Sequence, residues 1–305
     1  MSDLVSIIMN CKDGEKYLSA SLQSILDQTY KNWELIFVDN NSKDNSKNIF
    51  FDFKDSRFKY FYINKSISLG MARQYAYEKC NGKFIAFLDT DDLWLATKLE
   101  KQISLFNKNE IGLVICNSIY FSHNKEKIFY SKKPHTGNVF YKLLENYFIS
   151  LETIVCKKKF LDQILFKFNT EYSMISDYEL CIRLSAVCNL EYYNEVLAKC
   201  RIHSDSESAK KKELIYREKF NFLEKLSNEG FEKKYKHFLY NKKKIFHKIE
   251  VSQIIDKLEN GIGKIKVLKS MKKILIFDVI IFILLITPFS KYLIRFYRNF
   301  FFVRV

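Results

Sequence analysis

The run Phe84-Ile-Ala-Phe-Leu-Asp-Thr-Asp-Asp-Leu-Trp94 carries an unbroken apolar stretch straight into three carboxylates within four positions, Asp89, Asp91 and Asp92. An apolar run without alternation reads as a strand buried on both faces, as in a parallel sheet covered by helices. Carboxylates this close repel one another unless a cation neutralises them. Hard oxygen ligands at that density suit Mg²⁺ or Mn²⁺, which commonly binds one or two protein carboxylates together with the phosphates of a substrate. Read alone, the same residues describe equally well a solvated acidic turn ahead of a helix beginning near Trp94.

Outward from this run, strand-length apolar stretches fall at residues 4–9, 34–38, 58–63 and 113–116. Between and after them lie stripes of helical spacing, Leu18, Leu22, Ile25 and Leu26, then Leu95, Leu99, Ile103 and Phe106. The alternation predicts an α/β fold, a mostly parallel sheet with helices on both faces, and ligands beyond the carboxyl ends of its strands. The second strand also ends in a carboxylate, Asp39, followed by Asn40, Asn41, Ser42 and Asp44. These short polar side chains could bind a base or ribose, or form a turn that caps the next helix. Residues 120–133 suggest a hairpin or irregular excursion, and 139–165 two short helices around a strand at 153–156. A helix is expected over 177–188 and a last strand over 197–202.

The chain has 305 residues, with 50 Lys plus Arg against 35 Asp plus Glu, a net charge of +15. Residues 1–200 hold 26 basic and 24 acidic side chains, so the excess belongs to the last third. An apolar fraction of 48% excludes general disorder, and two prolines with eight glycines exclude collagen-like repeats. Seven cysteines form no C-x-x-C pair, and the amino terminus enters a strand without a secretory leader, which suggests a cytoplasmic protein with buried thiols. Beyond residue 210 the pattern becomes basic and helical. Residues 274–289 are apolar except for Asp278 and Thr287, too short for an ordinary span of about 20 residues. Lys264, Lys266, Lys269, Lys272 and Lys273 precede this segment, and Lys291, Arg295, Arg298 and Arg304 follow it. An interfacial anchor on an anionic membrane fits this pattern, with a buried core helix and a short span as alternatives. The total charge also admits a nucleic-acid-binding protein, but no recognition motif is present and the first 200 residues are nearly neutral.

Four ordered motifs now acquire a joint meaning. They are Val5-Ser-Ile-Ile-Met-Asn-Cys-Lys-Asp-Gly-Glu-Lys-Tyr-Leu18, Ser24 through Asp44 with Leu35-Ile-Phe-Val-Asp-Asn-Asn-Ser-Lys-Asp44 at its end, Leu69-Gly-Met-Ala-Arg73, and Phe87-Leu-Asp-Thr-Asp-Asp-Leu-Trp94. Together they resemble the family 2 glycosyltransferases of GT-A fold. The resemblance covers about the first 110 residues, and it implies an inverting transferase that uses a nucleotide-diphospho-sugar and Mg²⁺ or Mn²⁺. It places Asp39 and Asn40 toward the base, Asn10 and Cys11 along the nucleoside, Arg73 near the nucleotide, Asp89 on the ribose side and Asp91 on the metal. Asn40 stands where many relatives have an acidic residue, and Lys12 where an aromatic is common.

Ser176-Asp-Tyr-Glu-Leu-Cys-Ile-Arg-Leu184 resembles the family's late acidic motif and nominates Asp177 as catalytic base, with Ser176 replacing the first acid and Glu179 a weaker candidate. Arg201-Ile-His203 resembles the run after the last core strand, which makes His203 a candidate for the metal or diphosphate. Read apart from the resemblance, Asp177 is a helix-terminal carboxylate and His203 a surface histidine. The expected organisation is a GT-A catalytic domain over residues 1–205, a basic helical region over 206–268 and a membrane-interface segment over 269–305. The acceptor implied is a lipid-linked or lipopolysaccharide glycan, at the cytoplasmic face of the inner membrane, with no nucleic-acid partner. A catalytically inactive nucleotide-sugar-binding module of the same fold is the remaining alternative.

Overall fold

The computed structural model describes residues 2–164 and 168–230. The chain divides into two compact units, Met1–Lys211 and Lys212–Val305.

The first unit opens with the expected alternation: β1 Val5–Cys11, α1 Glu15–Leu26, β2 Trp33–Asp39, α2 Ser46–Asp52, β3 Phe58–Tyr62, α3 Leu69–Glu78 and β4 Phe84–Phe87. Every residue of β2 and β4 is buried, as an apolar run without period requires. These four strands are parallel in the order β3-β2-β1-β4. The order reverses between β1 and β4, so their carboxyl ends open the crevice in which such sheets bind ligands. Apolar side chains of β1 and β2, among them Ile7, Met9, Leu35 and Phe37, pack with Leu18, Leu22 and Ile25 of α1 and Phe50 of α2.

At the opposite end of the sheet, Glu34 ties elements together. Its buried carboxylate accepts from the Ser6 hydroxyl of β1, the Lys59 ammonium of β3 and the Asn81 N–H ahead of β4. Burial alone would raise its pKa, but these donors outweigh it and hold the carboxyl below its ordinary value.

The chain continues through β5 Leu93–Trp94, α4 Lys98–Ser104, β6 Ile111–Ser122, β7 Lys125–Ile128, α5 Phe140–Glu145, a 3₁₀ turn at Leu151–Thr153, β8 Val155–Lys157, α6 Lys158–Leu161, α7 Ser176–Ser185, β9 Asn189–Arg201 and α8 Glu207–Lys210. This half of the sheet is mixed. β8 runs antiparallel to both β4 and β6, and β6 and β9 run parallel with register shifts. β6 and β7 form the hairpin expected near residue 120.

Two elements differ from the sequence reading. β9 is 13 residues long rather than the six of 197–202, because Glu191, Asn194 and Glu195 interrupt its apolar pattern. The chain after the carboxylate run first forms β5, which pairs antiparallel with β9 through Leu93 and Lys199 and through Trp94 and Ala198. That short pairing brings the carboxylate loop against the end of β9.

In the second unit, α9 Lys212–Asn228 is amphipathic and buries Ile215, Tyr216, Phe222, Leu223 and Leu226. The rest of the predicted basic helical region and the apolar segment 274–289 lie outside the described residues. Among the described residues, no helix is long and apolar enough to cross a membrane.

Candidate active site

Cys11 and Asp39 end adjacent parallel strands in direct register, which puts the β1–α1 and β2–α2 loops side by side. Side chains of each loop satisfy backbone N–H groups of the other. Ser42 Oγ accepts from Asp13 N, Ser46 Oγ from Gly14 N and Asp44 from Glu15 N, while Asp13 accepts from Lys43 N and Glu15 from Asn45 N. The start of α1 is thereby capped by the neighbouring loop. Asp13 and Asn41 adopt left-handed backbone, with φ of 54° and 62°, which their short polar side chains tolerate better than most.

Within this clasp Asp39 is 1% exposed. Its Oδ1 accepts from Ser42 N at 2.8 Å and its Oδ2 from the Tyr60 hydroxyl at 2.6 Å. Asn40 is engaged elsewhere, since its amide donates to Ile67 O and accepts from Ile67 N, pinning the loop after β3 to the loop after β2. Asn10 Nδ2 is buried without a hydrogen-bond partner among the described residues. The Cys11 thiol is pushed up by burial and lies 3.7 Å from Ser42 Oγ.

The three carboxylates beyond β4 separate into different environments. Asp89 faces Arg73, whose Nη2 is 3.5 Å away and whose Nη1 donates to Ser176 Oγ. Arg73 is 3% exposed on α3. The start of this helix presses so close to the 169–172 segment that a Cβ on Gly70 would lie 2.0 Å from Asn169 O, which explains the glycine there. Burial pushes the Asp89 carboxyl up to about 6, Arg73 opposes this, and Asp91 and Asp177 add to it. Water tempers the rise, because the side chain is 42% exposed.

Asp91 Oδ2 lies 2.9 Å from His203 Nε2, and Asp91 O accepts from Arg201 Nε. Asp92 turns inward instead. Its Oδ1 accepts from Arg201 N, and burial followed by the charge of Glu152 raises its pKa well above the ordinary range. Asp92, Glu152 and Cys200 place ligand-type atoms within 4.8 Å of one another in the interior behind Asp91.

The donor set at Asp91 and His203 fits a divalent cation. Two neighbouring ligands on an octahedral ion at about 2.1 Å are about 3 Å apart, close to the gap observed. A neutral imidazole lone pair facing a carboxylate needs a proton or a cation between them. The Arg201 guanidinium lies 4.4 Å from the rings of both Tyr17 and Phe121, and Tyr17 packs on His203 at 5.1 Å.

Asp177, the second residue of α7, is half-buried and has no hydrogen-bond partner among the described residues. It is near enough to Asp89 to perturb that carboxyl. Glu179 is committed to Arg183 at 3.0 Å, which sets it apart from Asp177 as a base.

The structure therefore gathers Asn10, Cys11 and Asp39 at one end of the crevice and Arg73, Asp89, Asp91, Asp177 and His203 at the other. Tyr60 and Arg201 were not among the residues singled out. The Arg-Ile-His run could have drawn attention to Arg201, but nothing in the local sequence marks Tyr60.

The Glycosyl transferase family 2 model matches residues 6–165. The Escherichia coli protein named UDP-Glc:alpha-D-GlcNAc-diphosphoundecaprenol beta-1,3-glucosyltransferase WfgD is 36% identical over 211 residues, which are 68% of this chain and 81% of that protein. Among solved structures, S. aureus TarS in complex with UDP-GlcNAc superposes with a TM-score of 0.61 at 16% identity, over 72% of this chain and 65% of that one. The mannosyltransferase PcManGT from Pyrobaculum calidifontis, in complex with GDP-Man and Mn²⁺, gives 0.57 at 16% identity, over 73% and 64%. At these identities the two structures establish the GT-A type of fold, and the chain spans just under two thirds of their length. The family match covers just over half of the chain and agrees with the ordered motifs and the crevice they line: the chain belongs to glycosyl transferase family 2.

Proposed function

We propose that this glycosyltransferase moves one sugar, with inversion, from a nucleotide-diphospho-sugar to a hydroxyl of a lipid-linked glycan. One observation carries the reading: beyond the carboxyl ends of the parallel strands lie Asp39, the Asp91–His203 pair and Asp177, a carboxylate without a hydrogen-bond partner among the described residues.

Inversion by direct displacement requires a base on the face of the sugar opposite the leaving diphosphate. Asp177 takes that part, accepting the proton of the acceptor hydroxyl as its oxygen attacks the anomeric carbon. Among the described residues no donor competes for it, which leaves it available to that proton. Asp91 and His203 would hold a divalent cation, and the imidazole nitrogen would favour Mn²⁺ over Mg²⁺. Bound there, a cation supplies neutralisation of the charge that develops on the departing diphosphate. Asp89, oriented by Arg73, serves the ribose side, while Asn10, Cys11 and Asp39 receive the nucleoside. Asn40 contributes by fixing the Ile67 loop.

The kinship with WfgD makes UDP-glucose the first donor to test and a GlcNAc-diphospho-polyprenol the first acceptor. A lipid-linked acceptor is consistent with the basic and apolar composition of residues 264–304, which we assign to an anionic membrane surface on the cytoplasmic side. The test is to incubate the full-length chain with both substrates and Mn²⁺ and to determine the anomeric configuration of the product by NMR. A β-glycoside is expected from the α-configured donor. An α-glycoside would refute inversion, and no glycoside from any nucleotide sugar would refute transfer.

A further inference from the structure

Asp39 can recognise a base only if its carboxylate is held in one orientation, and a side chain on the sheet edge does the holding. We propose that Tyr60 is the positioning residue for base recognition, its phenol fixing Asp39 as an acceptor that selects nucleotides with a ring N–H. This rests on the reading of the crevice as a nucleotide-sugar site.

The geometry is specific. Tyr60 lies on the edge strand β3, and the β2–β3 register sets Asp39 opposite Tyr62 and Val38 opposite Phe61. Tyr60, opposite Phe37, thus reaches Asp39 from two pairs further down the strands, on the same face of the sheet. Its hydroxyl donates to Oδ2 at 2.6 Å while Ser42 N donates to Oδ1 at 2.8 Å, so each carboxylate oxygen is tethered from a different element. Each oxygen keeps a further lone pair that neither protein donor uses.

The Tyr60 ring cannot readily swing away. Its centroid lies 5.8 Å from that of Phe37, 5.2 Å from Phe50 and 4.9 Å from Phe51. Burial and then the neighbouring carboxylate raise the phenol's pKa, so it stays protonated and donates. Tyr62, two residues on, donates to Asn41 Oδ1 at 3.1 Å, so β3 grips the loop after β2 at two points.

A carboxylate whose protein partners are both donors presents only lone pairs to a ligand. Uracil and guanine offer a ring N–H at the pairing edge. Adenine and cytosine place a ring nitrogen lone pair there, which an acceptor repels. Orientation matters because a carboxylate tethered through one oxygen can rotate to reduce that repulsion, whereas one tethered through both cannot.

The experiment is titration calorimetry of UDP, GDP, ADP and CDP with Mn²⁺, on the full-length protein and on Tyr60→Phe, which keeps the packed ring and deletes only the donor. The wild-type chain should bind UDP or GDP in preference to ADP and CDP. In Tyr60→Phe the affinity for the preferred nucleotide should fall about tenfold, the scale of one hydrogen bond to a charged group. Affinities for ADP and CDP should hold or rise, because the freed carboxylate can turn away from their lone pairs, while the unfolding temperature falls modestly as the buried carboxylate loses one donor. An unchanged preference in Tyr60→Phe, or an equal fall for all four nucleotides, overturns the assignment to Tyr60 while leaving the nucleotide site intact. No binding of any of the four by the wild-type protein overturns the nucleotide-sugar reading and this proposal with it.

Discussion

Four aspartates near the crevice sit in four different surroundings, which suit them to different tasks. Asp89 meets a guanidinium, Asp91 an imidazole, Asp92 the protein interior, and Asp177 has no hydrogen-bond partner among the described residues. The last is the proposed acceptor of the proton from an incoming hydroxyl. Asp177→Asn should therefore lower kcat by about 10² to 10⁴ while UDP binding measured by calorimetry stays at the wild-type level. Asp91→Asn should instead weaken Mn²⁺ binding, followed by electron paramagnetic resonance in the presence of UDP, by about tenfold or more. Wild-type Mn²⁺ affinity in that variant would remove Asp91 from the metal site. Asp89 and Asp91 stood out in the sequence because three carboxylates directly follow a buried strand, whereas Asp39 and Asp177, which read alone are a turn and a helix-terminal carboxylate, were singled out by the resemblance to family 2 glycosyltransferases. Tyr60 stood out in neither way, because its importance depends on the register of β3 against β2, and that register leaves no local trace.

At the scale of elements, the site depends on pairings between distant parts of the chain. The β1–β2 register sets two loops against each other, and β5 on β9 carries the Asp91 loop to His203. The first four strands were readable because fully buried parallel strands make continuous apolar runs. β5, only two residues long, and the polar half of β9 were not, since neither shows a hydrophobic period.

The far end of the same sheet carries its own prediction. Glu34 joins β1, β2, β3 and the turn before β4, and its donors depress its pKa in the folded chain. A depressed carboxyl contributes stability that is present above the unfolded-state value, near 4.3, and is lost as pH falls through the folded value. Unfolding temperature should therefore drop as pH falls below about 4.3, and Glu34→Gln should flatten that acid limb while lowering stability at pH 7 by about 1 to 3 kcal/mol. An identical acid limb in the variant would show that Glu34 is not the group responsible.

For the whole molecule, the charge of +15 separates into a nearly neutral first 200 residues and a strongly basic remainder. The chemistry sits in the neutral part, while the basic part flanks the apolar stretch 274–289. Full-length protein should sediment with vesicles containing anionic lipid and release as salt rises, since exposed charges are screened beyond about 10 Å at 0.1 M. A chain ending at residue 268 should stay in the supernatant yet still bind UDP. Equal sedimentation of both chains would refute the membrane assignment.

Transfer driven by Asp177 is tested most directly by nucleoside diphosphate release from a panel of nucleotide sugars, with Mn²⁺ and a lipid-linked acceptor, in wild-type and Asp177→Asn proteins side by side. Acceptor-dependent release from at least one donor is expected of the wild-type chain, with a loss of about 10² or more in the variant. Release that proceeds at the wild-type rate in Asp177→Asn, or that ignores the acceptor, would contradict transfer driven by Asp177.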